Sequence, residues 1–344
     1  MQAMTRRRLG SILLTGSAAA LWAEGLVKPA FAADKTHVGI LALTSHAPSI
    51  IAKAKGYFAA QGLDVDFVSF QAAEPMAVAI ASGDVDFGIT AITGGLISLA
   101  DKGAVKVIGG ALREKPGIEG QKIIVSKAAF EAGVTTPPKL RGRSFGITTA
   151  GSSFQYMAHK IAQKEGFPDE AMHLRPLHQV AAIIAALKSG QIDAWSIVPN
   201  IADPLTKSGS AVEIGKISDY VPDYEVTVIF TSTANVTKKQ QLVKRFLAAF
   251  SKGVDDYDAA LVSRSMGAKE TADLVSMIHQ YVYADQPIEK ADSSIRAGAM
   301  WISRNARMNL ENIEDQLGWF KSEKMVPAEV SMETLVDKSF VETY

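Results

Sequence analysis

The sequence predicts an α/β protein of two similar lobes, each a mostly parallel sheet flanked by helices, followed by a helical C-terminal tail. Three observations lead there. From Thr36 onward, short runs rich in β-branched and aromatic residues alternate with stretches of helical spacing, the pattern of βαβ units. The pattern Ser-Gly-x-[Val/Ile]-Asp occurs twice, at 82–86 and at 189–193. From about Val226 the chain changes character, and beyond the strand at 226–232 the apolar spacing is helical.

The elements follow in order. Residues 36–44 read as a strand and 47–62 as a helix closed by Gly62. Then come a strand at 63–70, a helix at 74–82, a strand at 85–90, a helix at 94–103 and a strand at 104–112. The turn-rich REKPGIEG (113–120) ends this unit. After QKIIVS and the Pro137-Pro138 pair, a similar series begins at Leu140. It has a strand at 143–149, a helix at 152–166, a strand within AMHLRPLH, a helix at 180–190 and a strand at 192–198. The run VTVIFTS (226–232) reads as a strand returning to the first lobe, and Leu242, Phe246, Leu247 and Phe250 have helical spacing. The expected division is 33–115 for the first lobe, 116–225 for the second, and 226–344 for a return strand and helical tail packed on the first lobe.

Sliding the first series by the offset that carries Ser82 onto Ser189 tests the likeness. At that one offset Gly39-Ile40 falls on Gly146-Ile147, Ser45 on Ser152, Gly83 on Gly190, and Asp86 on Asp193, all without a gap. The two aspartates stand at strand starts. In open parallel sheets, ligands bind beyond the carboxyl ends of strands, so Asp86 and Asp193 are expected to serve the scaffold.

The opposite strand ends carry the candidate site. Strand one of the first lobe runs into Thr44-Ser45-His46, and its counterpart into Thr149-Ala150-Gly151-Ser152-Ser153. Hydroxyls and free backbone N–H groups at a helix N-terminus suit an anion. Ser45 and Ser152 are equally suited to be helix N-caps. Gly151 would let a ligand approach the backbone closely. Strand two ends at Gln71 and at His178; strand three leads to Thr90 and Thr93, and to Pro199-Asn200. Trp195 is either a core aromatic or a cleft wall, with Ile92 and Phe154 as further apolar surface. None of these loops carries Arg or Lys, so recognition would use dipoles and neutral donors.

Several function classes are poorly supported. With 36 basic and 36 acidic residues the formal net charge is zero, and no field attracts nucleic acid. There is no cysteine, hence no disulfide, thiolate metal site or cysteine nucleophile. TAGSSFQ is not a G-x-S-x-G elbow, and no Walker loop or G-x-G-x-x-G follows the first strand. His173 and His178 lack helical metal-ligand spacing, and no carboxylate partner for His46 is evident. No metal or cofactor is expected.

The run APSIIAKAKGYFAAQGLDVDFVSF resembles the opening signature of the nitrate/sulfonate/taurine-type substrate-binding proteins of ABC importers, a set that includes binders of thiamine-pyrimidine precursors. Ala47, Pro48, Ala52, Gly56, Phe58, Gly62, Leu63 and Val65 carry the match. IASGDVDFG, KLRGRSFGITTAGSSF and ALKSGQIDAW fit later blocks, so the resemblance covers about 36–235 well. It implies a type II periplasmic-binding-protein fold: a monomer that closes its lobes on a small organic anion, a sulfonate or carboxylate, and delivers it to an ABC permease and its ATPase. Carried over by position, the ligand contacts are Ser45, His46, Gln71, Thr90, Thr93, Gly151, Ser152, Ser153 and Asn200. Two rivals stay open: an enzyme of the same fold acting on a small heterocycle or organic acid, and a sensor that presents its ligand to a membrane receptor. The lack of cysteine argues against the cysteine-dependent pyrimidine-synthase type.

Residues 1–32 read as an export signal, with Arg6, Arg7 and Arg8, a modest apolar stretch and a small-x-small site at Ala30-Phe31-Ala32. Thr5-Arg6-Arg7-Arg8-Leu9 resembles a twin-arginine motif. Cleavage near Ala32 would release a periplasmic protein with no stable membrane insertion and a net charge of about −3.

Overall fold

The computed structural model describes residues 33–344, so the export signal expected over 1–32 lies outside the described residues. The first series consists of β1 (Asp34–Ile40), α1 (Ala47–Ala54), α2 (Tyr57–Ala60), β2 (Leu63–Ser69), α3 (Ala73–Ser82), β3 (Phe87–Thr90), α4 (Gly94–Asp101), β4 (Val105–Gly110) and the short β5 (Leu112–Arg113). The second has β6 (Lys122–Ser126), α5 (Lys127–Glu131), β7 (Ser144–Ile147), α6 (Ser153–Glu165), β8 (His173–Pro176), α7 (Val180–Lys188), β9 (Ala194–Ile197), α8 (Pro199–Lys207) and β10 (Ala211–Lys216). The remainder is β11 (Val228–Ser232), α9 (Thr233–Lys238), α10 (Gln240–Tyr257), α11 (Ala268–His279), α12 (Ile288–Ala297), β12 (Trp301–Ile302), α13 (Leu310–Ser322) and α14 (Met332–Leu335). The single helix expected over 47–62 is broken at Gly56, whose φ of 72° turns the chain between α1 and α2.

The strands form two five-stranded sheets, ordered β2-β1-β3-β11-β4 and β8-β7-β9-β6-β10, plus the ribbon β5-β12. In each sheet one strand alone opposes its neighbours: β11 in the first and β6 in the second. Each is the strand that arrives from the other lobe. The two sheets thus have one plan, with the crossing strand in the same place.

The repeated aspartates belong to that plan. Asp86 Oδ2 accepts the backbone N–H of His37 at 2.8 Å, and Asp193 Oδ2 accepts that of Ser144 at 2.8 Å. His37 falls on Ser144 at the same offset that carries Asp86 onto Asp193. Each carboxylate satisfies a strand-one amide beside the start of strand three, away from the carboxyl ends.

The two crossings lie side by side. Ala111 N–H donates to the Thr227 carbonyl at 3.0 Å, Val226 N–H to that of Leu112 at 2.9 Å, and Glu114 N–H to that of Tyr224 at 3.0 Å. Two acids are buried here. Glu225 accepts from Ala111 N–H at 3.2 Å and Asn309 N–H at 3.0 Å, and Glu114 accepts from Gln121 N–H at 2.9 Å. Burial pushes the Glu225 carboxyl up to about 8 against those hydrogen bonds and Arg113, and that of Glu114 up to about 7.

The tail divides its contacts. Helix α10 covers the first lobe: Phe246 stacks on Phe87 at 4.0 Å and 2° between ring planes, and on Phe58 at 5.4 Å. Helix α11 also packs on α1. Helix α12, however, lies against α8 of the second lobe, and Asp315 of α13 pairs with Lys160 of α6 at 2.8 Å. The expectation from sequence is a tail packed on the first lobe. It reaches both because α13 buries apolar groups on more than one face, with Trp319 against Tyr156 at 5.4 Å and Phe320 beside Gly94. Among the described residues no helix is long and apolar enough to cross a membrane.

Candidate functional site

A cavity of about 70 Å³ lies between the lobes. From the first lobe its walls are Leu41, Leu43, Ser45 and His46 after β1, Ala72 and Ala73 after β2, and Thr90, Ala91 and Thr93 after β3. The second lobe supplies Thr148, Ser152, Ser153 and Phe154 after β7, Val180 after β8, and Ile197 and Val198 after β9. Leu112, Gln121, Val226 and Thr227 come from the crossings. The walls therefore gather at the carboxyl ends of equivalent strands in both sheets. An engineered cavity that admits benzene measures about 150 Å³, so this smaller space suits a compact solute or head group.

The hydroxyls at the two helix starts are not used as caps. Helix α6 begins at Ser153 with Ser152 before it, yet no side chain caps its first N–H groups, and Ser152 Oγ is buried without a hydrogen-bond partner. Helix α1 begins at Ala47, again with no side-chain cap. Thr93 differs. Its Oγ1 accepts Leu96 N–H at 3.0 Å and donates to Glu74 Oε2 at 2.8 Å, so that hydroxyl belongs to the start of α4 although it faces the cavity.

His46 is the one titratable residue among the cavity walls, and it is 2% exposed. Burial pushes its imidazole down to about 4, with no charged neighbour offsetting the effect, so the ring is neutral at pH 7. Its Nδ1 has no hydrogen-bond partner. No hydroxyl or carboxylate is bonded to the ring, so the site contains no nucleophile–base–carboxylate series. Among the described residues no cluster of His, Cys, Asp and Glu could hold a metal ion.

Of the residues singled out in the sequence, Ser45, His46, Thr90, Thr93, Ser152 and Ser153 meet at this cavity, as does Phe154. The others do not line it. Gln71 and His178 are exposed, and the adjacent Ala72, Ala73 and Val180 face inward instead. Trp195 is wholly buried one alternate position deeper than Ile197 on β9, and it backs Phe154 at 5.5 Å between ring centres. Asn200 is wholly buried inside α8, since Pro199 starts that helix earlier than α4 starts around Thr93. Its carbonyl accepts from the Tyr283 hydroxyl of the tail. Ile92 is core. Gly151, at φ 71°, contributes a lobe-to-lobe contact: Gly94 N–H donates to its carbonyl at 3.0 Å.

Sequence reasoning missed Gln121 and Thr227. It placed ligand contacts only after sheet strands, whereas these two sit on the crossings. Thr227 Oγ1 accepts Leu112 N–H at 2.9 Å, while Gln121 Nε2 is buried and unpartnered.

Comparison with known proteins agrees with this architecture. The alkanesulfonate-binding protein SsuA from Xanthomonas axonopodis pv. citri, solved with MOPS, superposes with a TM-score of 0.70 at 17% identity, covering 89% of this chain and 98% of that one. The periplasmic nitrate-binding protein NrtA from Synechocystis PCC 6803 gives 0.68 at 16% identity, covering 87% and 83%. The desulfurization enzyme DSZB also shares the fold, with a TM-score of 0.59 at 13% identity, covering 89% and 97%. No curated protein sequence matches the chain. The sequence model of the NMT1/THI5 like family matches residues 43–259, well over half of the chain. This chain belongs to the NMT1/THI5 like family.

Proposed function

We propose that this protein is a periplasmic solute-binding protein that captures a small organic anion, a sulfonate or carboxylate, by closing its lobes and delivers it to an ABC permease and its ATPase. One observation carries the reading: a cavity built jointly by equivalent strand ends of both lobes, with Ser152, whose buried hydroxyl has no partner, in its wall at the start of α6. The sulfonate- and nitrate-binding proteins of the same fold support that chemistry. In this reading 33–115 and 116–225 are the lobes, 226–344 is the return strand and tail, and the crossings at 111–114 and 224–227 are the hinge. Residues 1–32 direct export, and the working form is a monomer. Ser45, His46, Ser152, Ser153, Thr90 and Gln121 hold the ligand. Closure proceeds because the anion interacts better with the closed form, where both helix starts face it, than with the open one.

The test is thermal unfolding of protein stripped of carried-over solute by unfolding and refolding, against small organic anions and pyrimidines. A hundredfold excess over Kd adds about 2.7 kcal/mol of stability. A concentration-dependent rise confined to sulfonates or carboxylates, with the ligand recovered intact, supports the reading. A ligand returned chemically altered would turn it toward the enzyme alternative.

A further inference from the structure

The cavity presents a charge problem. It faces two helix starts, α1 after Ser45-His46 and α6 after Ser152, which favour negative charge. Three of its side chains are more than nine-tenths buried and carry polar atoms with no partner: His46 Nδ1, Ser152 Oγ and Gln121 Nε2. Yet no Arg or Lys stands among its walls, and two carboxylates are bonded to wall residues, Glu74 to the Thr93 hydroxyl and Glu114 to the Gln121 N–H. An anion sealed here would be a buried, uncompensated charge, which is costly.

We propose that the site takes its anion together with one proton, which His46 carries as the counter-cation, so that a monovalent anion and H⁺ are bound as a pair. The inference rests on the organic-anion reading above and deepens it. His46 is the only wall residue able to change charge, and it lies at the start of α1 where the first lobe's strand one enters the cavity. In the ligand-free cavity burial keeps the ring neutral. An anion within hydrogen-bond distance of the ring favours the imidazolium, and the low local dielectric strengthens that pull. Among the described residues no carboxylate or ammonium offsets the burial of the ring. The proton goes from solvent to the imidazole, and no covalent bond forms.

The sign follows from linkage. The bound ring holds a proton that the free ring releases near pH 4, so affinity rises as pH falls. Within the window where the bound ring is protonated and the free ring is not, the rise is tenfold per pH unit.

Ethanesulfonate is the probe, because its own charge is constant across the range. Its binding to the stripped full-length mature protein is measured by titration calorimetry at pH 5 and pH 8, in paired buffers of different ionisation heat. The expected result is tighter binding at pH 5 by tenfold or more, with about one proton taken up where the two states differ. His46→Gln, which keeps a neutral donor, should bind with equal affinity at the two pH values. Binding with no proton uptake and a pH-independent Kd overturns the inference and leaves the organic-anion reading standing. Absence of ethanesulfonate binding at both pH values, with a carboxylate or other solute shifting the unfolding temperature, overturns the sulfonate pairing as well. Should His46→Gln fail to fold, His46→Asn takes its place, because Glu114 and Glu225 at the crossings also exchange protons in this pH range and only loss of the uptake in a His46 variant assigns the proton to the ring.

Discussion

Gly94 and Gly151 belong to different lobes, yet the Gly94 N–H donates to the Gly151 carbonyl at 3.0 Å. Each glycine stands at the start of a helix beside the cavity, α4 in one lobe and α6 in the other. A Cβ on Gly151 would lie 3.6 Å from Gly94 Cα, and its φ of 71° strains any other residue. The lobes are therefore in backbone contact beside the site.

Gly298 makes a second contact of this kind. A Cβ there would stand 2.3 Å from Asn200 Cβ and 2.9 Å from its backbone nitrogen, so α8 would have to withdraw from the tail. Overpacking of this sort costs about 1–3 kcal/mol. Gly298→Ala should weaken ligand binding by about tenfold or more while shifting the unfolding temperature of the ligand-free protein less. Calorimetry and thermal denaturation on the same preparation check it.

Ser152 and Thr93 both stand in the cavity wall but should fail differently. Ser152→Ala removes a group with no protein partner, so it should lower affinity by several-fold with little loss of stability. Thr93→Ala removes the cap of α4 and should cost about 1 kcal/mol of folding stability. Denaturant titrations beside binding isotherms separate the two.

Helix α10 approaches α1 through Gly253, where a Cβ would lie 2.1 Å from the Pro48 carbonyl oxygen. Gly253→Ala should destabilise the fold by about 1–3 kcal/mol and displace the start of α1, where His46 stands. A lowered unfolding temperature together with weakened binding is the expected pair of results.

The buried acids of the crossings make stability pH-dependent. Burial raises Glu225 to about 8 and Glu114 to about 7. Their folded values lie above the unfolded ones, so the stability they contribute is fully present below the ordinary carboxylate range and is lost as pH rises toward 8. His46 works in the opposite sense between about pH 6.5 and 4, since its folded value is lowered. Above pH 6.5 the acids dominate, and folding stability should decline toward pH 8 by about 1.4 kcal/mol per pH unit for each group still titrating. Denaturation at several pH values checks the slope, and Glu225→Gln should flatten it.

Much of the fold was legible because a repeat leaves equivalent residues at a constant offset: the pairs His37–Asp86 and Ser144–Asp193 do the same thing in the two lobes. Ser45, His46, Ser152 and Ser153 could be found at the cavity because strand order and helix starts are written locally. Asn200 could not, since one proline shifts a helix start and turns an expected contact into core. Gln121, Thr227 and the reach of α13 to the second lobe depend on how the crossings and tail come together, which no local pattern encodes.

The most direct test of capture between two lobes is small-angle X-ray scattering of the stripped protein, with and without saturating ethanesulfonate. The account predicts a smaller radius of gyration with ligand, and scattering that matches the closed arrangement of Gly94 against Gly151. Saturable binding with an unchanged radius of gyration and an unchanged scattering profile would contradict closure on the ligand.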